Sequence, residues 1–515
     1  MAKLNADQII SKFNSLKGLR DNWENHWKEL GQFFIPRKDD ISTVRTPGEK
    51  RNQRLLDSTG LEAAESLAGG LHGFLTNPFA QWFELSTGDD ELDQKDTVRT
   101  FLQKTAKIML RILNNSNFQT EVHELYLDLV VFGTSSMSVE EDTAEVVRFR
   151  SYHIDDIFIE ENSRGRIKTQ YRKFRWSAGQ IVQEFGEDAL KNLSNVKKAF
   201  DSSDHRKFEL VHAVYPLEDD PVLLAKEIMP FMSQYLVIED KQIISEGRFR
   251  EFPFVVPRWV KGTRETYGRS PAMKALPDQK TLNVMTETTL RGAQKVVDPP
   301  LQVPDDGFVL GGGKGVRTKP GSLNYYRAGT KDRIEPIFSD ARIDFGFQAM
   351  ADRRERIRQA FFTDQLRLLQ GGPQMTATEV IQRTEDGMRL LGPMLGRQQA
   401  ELLRPLIDRM FEIMLRRGLI NEEDIPEELS GRRLDVQYSS LIAKAQRQSE
   451  VQSIVRTFEA IAPLAGIDPS ILDNIDGDKF LLGVARDDQV KKTNRRIEGR
   501  SIESPTASYR TTTAN

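Results

Sequence analysis

The strongest constraint on the fold lies between Ala275 and Leu419. Two helical patterns there flank a glycine-rich insert, and a Gly-Gly-Pro break then opens a much longer helix. The first pattern, about Ala275 to Val297, runs into Asp298-Pro299-Pro300, which ends it. The second, about Asp340 to Phe362, carries Ile343, Phe347, Met350, Ile357 and Phe361 at steps of four and three, with Arg354 as the one polar residue on that seam. Gln370-Gly371-Gly372-Pro373-Gln374 cannot continue a helix, because glycine is too flexible and proline lacks the amide donor. Thr376 and Glu379 then form a capping box, with Met375 and Val380 at the staple positions. The helix they open runs from Ala377 to Arg417, roughly 60 Å at 1.5 Å per residue. Gly387, Gly392-Pro393 and Pro405 are expected to kink it.

The insert from Leu301 to Pro336 is too long for a bare connection, since such loops rarely exceed ~12–15 residues. Phe308–Leu310 and Leu323–Tyr326 read as strands around the Gly311-Gly312-Gly313 turn, making a small β module at the end of a helical hairpin. The N-terminal half reads as a mixed α+β body. Its helices are residues 1 to about 36, with Ile9, Ile10, Phe13, Leu16 and Leu19 on one side, then Ser58–Leu75, Asp96–Leu113 and Phe118–Phe132. Gly69-Gly70 suggests close approach by another backbone. From Ala144 the hydrophobic period falls to two, and a series of antiparallel strands follows as far as Trp259, interrupted by a short helix that Ser177 and Gln180 open as a second capping box. Beyond Gly418 come helices near Ser440–Ile461 and Pro469–Leu482, then a Ser/Thr-rich end at 486–515 with few large apolar groups. The fold class expected is α+β, mainly α.

Composition narrows the function. The 73 basic and 76 acidic residues leave a net charge of −3, whereas a chain that grips nucleic acid tightly carries a basic excess. There are no cysteines, which removes disulfides, thiol nucleophiles and cysteine-metal sites, and the six histidines show no ligand spacing. No apolar run approaches the ~18 residues that span a bilayer, and no signal-peptide core is visible. A soluble protein made in a cytoplasm is expected, with neither cofactor nor metal.

Three features bear on chemistry. Gly311-Gly312-Gly313-Lys314-Gly315 lacks the Ser or Thr after lysine that a phosphate-binding loop needs, so a tight turn is expected and no engine for nucleotide hydrolysis. Six basic residues, Lys314, Arg317, Lys319, Arg327, Lys331 and Arg333, crowd the insert with Asp332 as the one acid. They are either a solvated surface or a positive face for phosphate or an acidic partner. Arg353, Arg354, Arg356 and Arg358 form a run on the second hairpin helix, with Asp352 and Glu355 as local partners. That run admits salt bridging between helices as readily as contact with DNA. The acidic clusters Asp89-Asp90-Glu91, Asp219-Asp220 and Glu422-Glu423-Asp424 lack an accompanying nucleophile or base and read as solvated surface.

The order of these elements resembles the portal proteins of tailed phages, in particular the head-to-tail connectors of short-tailed phages. The resemblance is carried by Tyr267-Gly268-Arg269-Ser270-Pro271-Ala272 before the hairpin and Met375-Thr376-Ala377-Thr378-Glu379-Val380 after the break. Asp128 to Thr134 and Thr76-Asn77-Pro78 through Trp82-Phe83 are similar to the same family, and the likeness runs from about Asn52 to Leu419. It implies a ring, dodecameric in that family, at one vertex of a capsid, with no active site. It divides the chain into a wing (1–274), stem helix 1 (275–298), clip (299–339), stem helix 2 (340–362), tunnel loop (363–375), long kinked wing helix and link (376–439), crown (440–485) and tail (486–515). Double-stranded DNA would pass inward and outward through the channel, past Arg367, Gln370, Gly371, Gly372 and Pro373 of the loop. The clip cations would dock the large terminase and later the tail adaptor or tail tube proteins, while major capsid and scaffolding proteins would surround the ring. An enzyme of the packaging machinery and a tail adaptor are the alternatives. The missing phosphate-binding loop argues against the first, and the size of the wing against the second.

Overall fold

The computed structural model describes residues 3–41, 48–51, 54–217, 229–297, 301–302, 335–336, 343–363, 392, 394–420, 425–429 and 435–437. The clip cations, all five tunnel-loop residues, the start of the long helix, the crown and the tail lie outside them.

The chain opens with α1 (Ala6–Phe34), whose N-terminus is closed by a reciprocal capping box between Asn5 and Gln8. Then come α2 (Thr59–Leu75), strand β1 (Glu84–Ser86), the single turn α3 (Asp90–Asp93), α4 (Asp96–Asn115) and α5 (Phe118–Phe132). Strands β2 (Ser136–Asp142), β3 (Val146–Tyr152), β4 (Ile157–Glu161) and β5 (Ile167–Ser177) follow. Helices α6 (Ala178–Phe185) and α7 (Ser194–Asp201) separate them from β6 (Lys207–Pro216), β7 (Phe231–Val237), β8 (Gln242–Phe249), β9 (Phe254–Val255), β10 (Val260–Lys261) and β11 (Gly268–Arg269). The hairpin is α8 (Pro271–Val297) and α9 (Ile343–Ala360), and α10 (Arg404–Arg416) ends the long helix. Beyond the hairpin's far ends the two-residue strands β12 (Leu301–Gln302) and β13 (Glu335–Pro336) pair antiparallel and bring the insert's two ends together. Last, β14 (Asp435–Gln437) pairs with β1.

Two sheets organise the body. The larger is a five-stranded antiparallel meander, β4-β5-β6-β7-β8, and the smaller is β3-β2-β9. Period-two alternation gives the large sheet two apolar faces. Tyr171, Val211, Ala213 and Tyr215 meet Ile9 and Phe13 of α1, while Phe174, Phe208 and Leu210 meet Ile181 of α6, Val196 of α7 and Leu193 just before α7. The main core lies between α2, α4, α5, α10 and the smaller sheet, around Trp27, Leu67, Met109, Tyr126, Phe132 and Met410.

The structure corrects four expectations. Leu19 faces solvent at 75% exposure, and Arg20 beside it is the buried residue of that turn. Its guanidinium stacks on Phe158 and donates to the carbonyls of Ile154, Asp155 and Ile157, so a cation takes an inward position by supplying the donors that the strand edge lacks. Gly69 has open space around it. Close approach occurs instead at Gly60, against Phe34 and Gln279, and where Gly133 meets Gly268. The first hairpin helix starts at Pro271, one turn earlier than read, because Ser270 caps it and proline suits the first position, and Pro277 lies inside it. Strand β2 escaped the reading, although Ser136-Met137-Ser138-Val139-Glu140 alternates as a strand does.

Gly133 ends α5 in the left-handed region at φ +80. A Cβ there would press on the backbone of Gly268 and Arg269. Gly133→Ala is therefore expected to lower stability by about 3 kcal/mol, from the unfavourable φ plus backbone displacement. Gly73→Ala, at a helical glycine with nothing nearby, should be neutral or slightly stabilising. Paired thermal unfolding curves measure both.

Candidate functional site: the root of the hairpin

Segments that lie 134 residues apart in sequence build one joint. Gly268 donates its amide to Thr134 Oγ1 at 2.8 Å, and Trp259 donates to the Gly133 carbonyl at 2.9 Å. Ser270 Oγ donates to the Val131 carbonyl at 2.7 Å and accepts the Met273 amide at 3.0 Å, which caps α8 with Pro271 at its first position. The buried Tyr267 hydroxyl accepts the Ile159 amide of β4, and its ring packs edge-on against Trp27 at 5.1 Å.

From this joint the hairpin leaves the body, and its near half is tied down by polar contacts. Arg354 of α9 gives two hydrogen bonds to Asp57 Oδ2 at 2.9 and 2.8 Å. Arg353 pairs with Asp278 of α8 at 2.5 Å. Lys280 reaches Glu29 of α1, and the Asn283 amide clasps the backbone of Arg54 and Leu56. Burial pushes the Asp57 carboxyl up, but hydrogen bonds from Thr59 and Arg354 outweigh it and hold it below its ordinary 3.8. Apolar contact completes the root through Leu282, Met350, Ile357 and Phe361, the last at 5.5 Å from the ring of Phe34. Thr289 faces Gly346, where a Cβ would already come within 3.0 Å.

The far half differs. Val284, Leu290, Val296 and Val297 of α8 and Phe347 of α9 are exposed, Val297 at 86% and Phe347 at 55%. Phe347 therefore leaves the seam on which the sequence placed it.

The long helix crosses the joint at a π-helical turn, Gln399–Leu403, immediately before Pro405. Proline cannot donate to the carbonyl four residues back, and the widened turn absorbs the missing bond. Glu401 of this turn accepts three hydrogen bonds from Arg258, from the backbone amide at 3.0 Å, Nε at 3.1 Å and Nη2 at 2.7 Å. Arg258 also pairs with Glu161 of β4 and donates to the carbonyls of Gly165 and Thr266. Its own carbonyl accepts Gln398 Nε2 at 2.9 Å. Further along, Arg409 is buried against the Val139 carbonyl and Glu251, and burial pulls its guanidinium down to about 10. Among the described residues no three His, Asp or Glu side chains are grouped to hold a metal ion, and no helix is long and apolar enough to cross a membrane.

Residues 6–490 match the family described as bacteriophage head to tail connecting protein. The chain belongs to that family. It is 33% identical over 484 residues to the probable portal protein of Bordetella phage BPP-1, covering 92% of this chain and 85% of the relative. It is 29% identical over 496 residues to the portal protein of Salmonella phage epsilon15, covering 93% and 87%. A chain from the neck of an empty gene transfer agent particle aligns at 12% identity and TM-score 0.40, over 77% of this chain and 86% of that one. That likeness is too remote to decide anything here. The connector's function is that of a portal, joining head to tail.

Of the arginine run read from sequence, Arg353 and Arg354 are spent in the root, on Asp278 and Asp57 and not on the local partners Asp352 and Glu355. Arg356 is exposed and Arg358 half-buried, and neither has an ion-pair partner among the described residues. The joint itself went unread. Arg258 and Glu401 are 143 residues apart, and nothing local marks either one. Asp57 had a signal, since Asp-Ser-Thr before α2 is a helix-start pattern.

Arg354→Ala is expected to cost about 1–2 kcal/mol, by leaving a buried carboxylate short of donors, while Arg356→Ala stays within about 0.5 kcal/mol. Because Asp57 is depressed in the folded state, its contribution is complete above its ordinary 3.8 and is lost as pH falls through the lower folded value. The gap in melting temperature between wild type and Arg354→Ala should hold from neutral pH to about pH 5 and narrow below 3.8.

Proposed function

We propose that the connector works as a homo-oligomeric ring whose channel carries double-stranded DNA into and out of a capsid, with the hairpin as stem, the 299–339 insert as clip, 363–375 as tunnel loop and 440–485 as crown. The observation that carries this reading is the split character of the hairpin. Its root is anchored to the body, while its far half holds Val284, Leu290, Val296, Val297 and Phe347 in solvent. Spread round this half of the hairpin, they leave apolar surface in water, and neighbouring stems of a ring would cover it.

The role is mechanical and needs no catalytic group. DNA that must slide cannot be held by many tight phosphate contacts, each of which releases counterions and adds to affinity. Arg356 and Arg358 of the stem, and Arg367 and Gln370 of the loop, are the contacts assigned to the channel. Lys314, Arg317, Lys319, Arg327, Lys331 and Arg333 form the clip's docking collar for the packaging motor and later for the tail adaptor. Scaffolding and major capsid proteins contact the ring's outside, and assembly takes place in the host cytoplasm before the ring becomes part of the virion. The copy number expected is twelve.

Negative-stain electron microscopy of the purified full chain should show rings with a central hole. Dispersed monomers at high concentration, with capsid or scaffolding protein present, would reject the ring. Deleting Gln370–Gln374 should leave rings intact while packaging or retention of DNA fails. Replacing Lys314, Arg317 and Lys319 together by Ala should weaken motor docking without disturbing the ring, and unchanged docking would remove the clip assignment.

A further inference from the structure

The histidines show no ligand spacing along the sequence, yet the fold brings two of them together. His72 stands in the last turn of α2, and His123 lies on α5. Their ring centres are 5.8 Å apart and the rings are inclined at 47°. Both side chains are half-buried. His72 Nε2 lies 2.7 Å from Oε1 of Gln119, which is one turn before His123 on α5. The ring nitrogens of His123 have no hydrogen-bond partner among the described residues.

The surroundings leave room and a favourable charge. Gly69 lies one turn before His72 and Gly73 next to it, and a Cβ at either would meet nothing within 4 Å. Glu65, exposed on α2, is close enough for its charge to act on the His123 ring. Arg37, a cation that acts on the same ring, is held by Glu124 at 2.8 Å.

These distances fit a metal ion. Two ligands bound side by side to one ion at about 2.0–2.1 Å sit roughly 3 Å apart. His72 Nε2 and Gln119 Oε1 are already close to that spacing. An ion bound in line with a ring nitrogen stands roughly 3.2 Å from the ring centre, so two imidazoles on one ion are at most roughly 6.4 Å apart. The observed 5.8 Å is inside this limit. A tetrahedral angle needs roughly 5.2 Å, which small rotations of half-buried side chains reach.

We propose that His72, His123 and Gln119 bind one borderline divalent transition-metal ion of the zinc type, with water completing its shell. Imidazole nitrogen selects such ions over magnesium and calcium, which take oxygen ligands. At neutral pH imidazole is mostly uncharged, so its lone pairs are available. The ion would tie α2, which begins beside Asp57, to α5, which ends at Gly133 of the joint. Those two helices carry the root of the hairpin, so the ion stiffens the base from which the hairpin projects. Two imidazoles and an amide oxygen hold it reversibly, and the fold forms without it. The proposal goes beyond the ring reading and stands whether or not that reading holds.

The test uses the full-length protein without a histidine tag, stripped with EDTA and then given zinc. Calorimetric titration should show one zinc per chain, and saturation should raise the melting temperature by about 2 °C or more, whereas magnesium does neither. His72→Gln and His123→Gln should each weaken binding at least about tenfold. His205→Gln, at an exposed histidine elsewhere, should leave it unchanged. Copper(II) in place of zinc should show paramagnetic-resonance splitting from two nitrogens in the wild type and from one in each of the first two variants. Should glutamine disturb the helix pair, His123→Cys decides the matter. The chain has no cysteine, so the one thiol of that variant stands at the site, and cobalt(II) should give a thiolate charge-transfer band. Absence of zinc binding would overturn the proposal, as would binding unchanged in both glutamine variants or lost in His205→Gln. Splitting from a single nitrogen in the wild type, or a cobalt spectrum of His123→Cys without that band, would overturn it too.

Discussion

Arg258 is the side chain on which the rest of the arrangement depends. It is 2% exposed, and an unpaired guanidinium at that depth would cost several kcal/mol in lost solvation. The cost is offset because nearly every donor is used, on Glu161 of β4, on Glu401 of the long helix, and on the carbonyls of Gly165 and Thr266. No two of these partners lie on the same element. The guanidinium therefore fixes the large sheet, the loop that leads to the hairpin and the π-turn of the long helix in a single geometry. A planar cation with five donors in a rigid fork can do this where the flexible point charge of lysine cannot.

The joint around it explains why motifs distant in sequence go together. Phe132-Gly133-Thr134 needs a residue without Cβ because Gly268 passes across it, and Gly268 needs the same because of Gly133. Thr134 then holds the Gly268 amide, and Ser270 two residues on caps α8 and bonds Val131. The direction in which the hairpin leaves the body is thus set by backbone contact and short hydrogen bonds. Direction set by close backbone contact and two placed hydroxyls tolerates little change.

Elements with strong local signals were legible in the sequence. Helix α5 begins and ends where its pattern does, the Ser177–Gln180 capping box opens α6, and Met350, Ile357 and Phe361 are buried as their spacing requires. Two of the four segments behind the family resemblance, Asp128 to Thr134 and Tyr267 to Ala272, meet in one joint. What stayed hidden depends on contacts that no short window contains. Arg20 is buried because a strand edge across the fold needs donors, and Glu401 matters because Arg258 lies opposite it. Phe347 obeys the seam pattern and is exposed because none of the described residues covers it. The clip and tunnel-loop residues lie outside the described positions and keep the standing that the resemblance lends them.

Charge and apolar surface divide the hairpin in the same place. Below Val284, Arg353 and Arg354 of α9 are neutralised by Asp278 and Asp57, and the seam is closed by Leu282, Met350, Ile357 and Phe361. Above it the aliphatic side chains of α8 face water. Burying each of these would gain about 1.5–3 kcal/mol, a gain the isolated chain forgoes. A run of four arginines thus overstates by half the cations left for any ligand. A helix that reads as evenly amphipathic is really two segments with different partners: the near segment belongs to the folding of the body, and the far one is left for whatever covers it.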